Sequence, residues 1–95
     1  MQIEFMSQKW TIRPAEPREL TDCLGLCDPK TNTIVIDPDL TGWVRCQTIF
    51  HELFHIWEMT MNQCLTEQQV DTLALGLIHL FRANPGLLTL LERPE

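Results

Sequence analysis

The rhythm of apolar and polar positions changes near residue 40. Before it, short apolar runs are interrupted by Pro14, Pro17, Pro29 and Pro38; after it, apolar residues recur every three or four positions. Lys9 to Arg13 alternates and predicts a strand. The stretches Leu24 to Cys27 and Thr33 to Asp37 flank the polar segment Asp28-Pro29-Lys30-Thr31-Asn32. With the β-branched run Thr33-Ile34-Val35-Ile36, this pattern predicts a hairpin whose turn is longer than the tight two-residue type.

Pro38 blocks continuation of that strand, and Asp39 or Thr41 can cap a helix. From Gly42 to about Met59, Trp43, Cys46, Phe50, Leu53, Phe54 and Trp57 follow a helical period. Thr60 to Leu65 reads as a connector. Thr66 then caps a second helix from about Glu67 to Arg82, with Val70, Leu73, Ala74, Leu77, Ile78 and Phe81 as its stripe. Asn84-Pro85-Gly86 stops it, Asn84 capping and Pro85 opening a short third helix through Leu91. The expected fold is α+β in one domain over residues 1–95. An N-terminal β-hairpin or small sheet, residues 1–40, packs on a helical pair, residues 41–95.

Composition narrows the function classes. The formal net charge of −6 argues against a phosphate-backbone partner, which Lys and Arg would have to neutralise, so no nucleic acid is expected. No apolar run reaches the roughly 18 residues of a membrane span, and Met1 to Trp10 lacks a basic stretch followed by an apolar one. The expectation is a cytoplasmic protein without a membrane partner. Cys23, Cys27, Cys46 and Cys64 are then expected as reduced thiols. Cys23 and Cys27 have the spacing of half a zinc site, but no second Cys/His pair matches it downstream.

The chemistry lies in the first helix, as His51-Glu52-Leu53-Phe54-His55. Residues four apart on a helix project from one face, so both imidazoles can reach one zinc ion. Glu52 is turned by about 100° from His51. It can reach a zinc-activated water without being a ligand, and act as general base. A third His six residues beyond His55 would complete one known arrangement, but Met61 stands there. A carboxylate from the second helix remains, either Glu67 or Asp71, one turn apart. In an antiparallel hairpin Asp71 lies level with the histidines, while Glu67 is a turn nearer the connector with a longer reach. Glu58 is read as solvent-facing. His79, two turns beyond Asp71, Arg82 or a backbone N–H are the candidates to stabilise an oxyanion, because the chain contains no Tyr.

These residues resemble the small zinc-peptidase-like proteins of the ImmA/IrrE and minigluzincin kind, many of them encoded by phages. The resemblance runs over roughly residues 24–91. It is carried by Gly25-Leu26-Cys27-Asp28, Ile36-Asp37, Thr48-Ile49-Phe50-His51-Glu52-Leu53-Phe54-His55, Leu65-Thr66-Glu67-Gln68-Gln69-Val70-Asp71 and Asn84-Pro85. It departs at Asp71-Thr72-Leu73, where such proteins usually carry Glu-Ala-Asn. The resemblance implies a minimal zincin-like domain hydrolysing a peptide bond, with Glu67 as third ligand and Asp71 orienting a ligating histidine. It implies a protein or peptide substrate, a repressor-like regulator for instance, whose extended backbone pairs with the strand Thr33 to Ile36. The competing expectation is a non-catalytic interaction module that zinc merely staples together.

Overall fold

The computed structural model describes residues 1–92; residues 93–95, which the single-domain reading includes, lie outside the described residues. Four strands come first: β1 (Gln2–Phe5), β2 (Gln8–Pro14), β3 (Gly25–Asp28) and β4 (Thr33–Ile36). Three helices follow: α1 (Gly42–Thr60), α2 (Glu67–Ala83) and α3 (Leu87–Glu92). The strands form one sheet in the order β1-β2-β4-β3, with β2 and β4 parallel and the other pairs antiparallel. The domain is α+β, and no helix among the described residues is long and apolar enough to cross a membrane.

The expected hairpin is β3–β4. Asp28 Oδ1 accepts from the Lys30 N–H at 2.9 Å, and Asn32 takes a left-handed conformation to close the turn. Strand β1 carries no such signal. Its connection to β2 is Met6-Ser7, both at positive φ (53° and 64°), so Phe5 pairs with Gln8 across a two-residue turn. Turns of this kind normally advertise themselves with Asn or Gly.

The substrate-pairing edge expected at Thr33 to Ile36 is not at an edge. Strand β4 lies between β2 and β3, and Ile34, Val35 and Ile36 are all buried. A run that is apolar at every position suits an interior strand covered on both faces. The sheet therefore ends at β3 on this side.

The core joins Trp10, Ile34, Ile36 and Ile56, with Ile3, Phe5, Ile12, Leu40, Ile49 and Leu53 against them. The molecule is layered as sheet, α1, α2. The sheet packs on α1 through β3 and β4, and α2 packs on α1. Residues Thr48, Glu52 and Ile56, one turn apart each, form the buried face of α1. The expected stripe thus divides: Leu53 packs on the sheet-side core, while Cys46 and Phe50 line an apolar hollow with Ile78 and Phe81. Trp43 is exposed and Phe54 only half-buried. Helix α2 buries Val70, Ala74 and Ile78, leaving Leu73 exposed, and α3 buries none of its residues.

Both ends of the α1–α2 connector are closed by hydrogen bonds. Asn62 takes a left-handed conformation and donates to Met59 O, and Gln63 N donates to Glu58 O. This pair of bonds satisfies the last carbonyls of α1. Thr66 Oγ1 accepts from Gln69 N while Gln69 Oε1 accepts from Thr66 N, a reciprocal cap that starts α2. At the other end Asn84 closes α2 and its carbonyl accepts from Leu87 N, so α3 begins two residues beyond Pro85. Thr41 precedes α1 without a side-chain capping bond.

Candidate metal centre

Contacts along the helix pair show that α1 and α2 run antiparallel. His55 meets Glu67, His51 meets both Glu67 and Asp71, and Trp43 meets His79. Each step forward on α1 is a step back on α2.

This register brings three donors together. His51 Nε2 and His55 Nε2 are 3.0 Å apart. Glu67 Oε2 is 3.0 Å from His51 Nε2, and its Oε1 is 3.3 Å from His55 Nε2. The group His51, His55 and Glu67 can hold a metal ion. Zinc with bonds of 2.0–2.1 Å spaces tetrahedral ligands by about 3.3 Å, close to what is seen.

The outer nitrogens explain why the inner ones converge. His51 Nδ1 is 2.6 Å from Asp71 Oδ1, and His55 Nδ1 is 3.1 Å from Glu58 Oε1. An ionised carboxylate only accepts, so each Nδ1 carries the hydrogen and donates it. In the neutral imidazole each Nε2 then presents a lone pair. Two lone pairs and a carboxylate facing one another within 3.3 Å repel unless a cation lies among them. Asp71 is thus placed on the far nitrogen of His51, in the orienting position, and the three-residue group does not include it.

Glu58 overturns its expected solvent-facing role. Its side chain is 16% exposed. One oxygen holds His55, and the other accepts from the Leu65 N–H, tying α1 to the residue before the α2 cap. Those two partners hold its carboxyl below the usual range, the backbone N–H contributing more. The i,i+3 spacing to His55 was the available signal, since a carboxylate at that position shares the face of the imidazole.

Glu52 is 7% exposed, although a carboxylate is seldom buried without a partner. Burial pushes its pKa up and Glu67 adds to this, while His51 and His55 pull the other way. It faces the cleft beside His51 and Glu67. Cys27, on β3, lines the same cleft; burial pushes its thiol up to about 11, with Glu52 and Asp28 adding to the shift. It is therefore a neutral thiol in neutral solution. All four cysteines are free.

The cleft extends to both sides of the His51, His55 and Glu67 group. One lobe is lined by Leu24, Val44, Gln47 and Thr48, the other by Leu26, Cys27, Glu58 and Met59. Strand β3 and the residues just before it form one wall throughout. The two side-chain candidates for the oxyanion are elsewhere. His79 packs against Trp43 at a tilt, with ring centroids 4.9 Å apart, and the Arg82 guanidinium lies 3.7 Å over the same indole. Met61 is exposed beyond the end of α1. No protein-family model, curated protein or solved structure significantly matches the chain.

Proposed function

We propose that this chain is a zinc-dependent, metallopeptidase-like protein of the small H-E-x-x-H kind. The observation that carries the reading is the convergence of His51 Nε2, His55 Nε2 and the Glu67 carboxylate within 3.3 Å, with Asp71 and Glu58 taking both outer nitrogens. Two imidazoles and one carboxylate are a donor set suited to zinc that leaves a fourth position open. Zinc, when bound, supplies the Lewis acidity that brings a water's pKa toward about 7.

The remaining work belongs to the chain. Glu52, buried beside His51, takes the proton from the attacking water and passes it to the leaving amine. Strand β3 ends the sheet along the cleft wall, so its outer backbone groups can pair with an extended peptide. That moves the expected pairing edge from β4 to β3. The proposed partner is a protein or peptide substrate; a repressor-like regulator and a phage setting rest on the sequence resemblance alone.

A second reading has its own support. Neither His79 nor Arg82 lines the cleft, and α2 is held to α1 by only Val70, Ala74 and Ile78 among its buried residues. A metal that only staples the two helices fits these facts. One experiment separates the readings. Zinc content is measured on wild type, on His51→Ala/His55→Ala and on Glu52→Gln, and cleavage is assayed on a peptide library. The peptidase reading expects about one zinc per chain, lost in the double variant and kept in Glu52→Gln, with cleavage down by at least about a hundredfold in the latter. Zinc without any wild-type cleavage leaves the staple. No zinc in the wild type removes both.

A further inference from the structure

We infer that the contact between Gly25 and Thr48 sets the clearance between β3 and α1, and so gauges which extended chains the cleft admits. The inference rests on the peptide-cleft reading of the same site. A methyl group at position 25 would lie 2.8 Å from Thr48 Cγ2, and 3.3 Å from both Ile36 Cδ1 and the Val35 carbonyl oxygen. Ordinary carbon–carbon contact begins at about 3.5 Å, so the strand would have to retreat from the helix by roughly 0.7 Å.

The helix side cannot yield instead. Thr48 is buried, and its Oγ1 donates to Val44 O at 2.7 Å. That bond fixes the rotamer of a β-branched side chain and with it the direction of Cγ2. Behind the strand, Ile36 is the register partner of Gly25 and is itself in the core. Gly25 is therefore held between a pinned methyl and the interior strand, and only a residue without Cβ fits.

The position matters because Gly25 and Thr48 both line the cleft lobe that contains His51 and Glu52. Thr48 is one turn before Glu52 on the same buried face of α1. A peptide paired to β3 is thus placed relative to the metal-binding group by this contact. A small ligand that touches only the metal is not. Misplacement of about 1 Å costs reactions and tight binding up to roughly a hundredfold.

The test uses the cobalt-substituted protein, read by its visible absorption. Two probes are compared: acetohydroxamate, and the tetrapeptide hydroxamate that binds wild type best from a mixed library. In Gly25→Ala the peptidyl probe is expected to weaken at least about tenfold while acetohydroxamate stays within about twofold. Thr48→Ser keeps the hydroxyl and removes the methyl. The double variant Gly25→Ala/Thr48→Ser should therefore recover the peptidyl affinity to within about threefold of wild type.

An unchanged ratio in Gly25→Ala, an equal loss of both probes, or a double variant that fails to recover overturns the gauge. So does a wild type that holds acetohydroxamate but prefers no peptidyl member. If Gly25→Ala fails to fold, the double variant decides alone: folded with wild-type peptidyl affinity supports the gauge, and anything less overturns it. A wild type that takes up neither cobalt nor acetohydroxamate sinks the metal-site reading itself, and the gauge with it.

Discussion

Two clusters bridge the α1–α2 pair. His51, His55 and Glu67 meet near the connector, and Trp43, His79 and Arg82 meet about two to four turns further along toward the other end. The backbone treats them alike, since the same antiparallel register places both. Their chemistry differs. At the far end a cation lies on an aromatic face, so the Arg82 charge has a partner within the chain. Near the connector two imidazole nitrogens and a carboxylate converge, and with both imidazoles neutral no donor lies between them. The comparison teaches that proximity alone does not mark a site; an unbalanced set of partners does.

The largest effect that sharpens this contrast is at Glu58. Glu58→Gln replaces an obligate acceptor on His55 Nδ1 by an amide, and the zinc dissociation constant should rise about 10- to 100-fold in a competition titration with a chromophoric chelator. Asp71→Asn should act similarly through His51. Unchanged affinity in both would mean that the outer carboxylates do not prepare the histidines. A smaller effect is expected from Arg82→Ala, which removes an exposed cation–π contact of about 0.5–1 kcal/mol. Thermal unfolding should show that loss while zinc stoichiometry remains unaltered; a change in zinc affinity would join the two clusters that the comparison separates.

The smallest effect concerns a third balanced arrangement, Arg13 with Glu19, at 2.5 and 2.7 Å. Its hydrogen bonds to the guanidinium hold the Glu19 carboxyl at about 2, below the ordinary 4.5. A folded-state pKa that is lowered contributes stability above the unfolded value and loses it as pH falls through the folded one. With chelator present, the melting temperature of wild type should approach that of Glu19→Gln between pH 4.5 and about 2. A constant gap over that window would show that the pair contributes nothing.

The sequence made much of this legible because the signals were local. Helical period, the Thr66 cap and the four-residue spacing of His51 and His55 each depend on neighbours a turn away. So does the hairpin around Asn32. Strand β1 was hidden because Met6 and Ser7 turn the chain without the residues that usually do so. The inner place of β4 is not legible because it comes from parallel pairing with β2, a strand distant in sequence, which no local signal announces. Among the site residues, spacing alone leaves the roles of Glu67 and Asp71 open and only the resemblance separates them, since the roles depend on which imidazole nitrogen each one faces. Glu58 was missed because its second partner, the Leu65 amide, lies across the connector. Burial of the α1 face at Thr48, Glu52 and Ile56 was equally unreadable, because polar residues carry no apolar period.

Glu67 is the first residue of α2, inside the turn that Thr66 and Gln69 close. Helix ends fray, and each opening of that turn swings the carboxylate away from the histidines. Any ion that holds the carboxylate therefore slows the fraying as well. The amides of Gln69 and Val70, which bond Thr66 in the closed turn, become reporters: their hydrogen-exchange rates register occupancy of a site that neither of them touches.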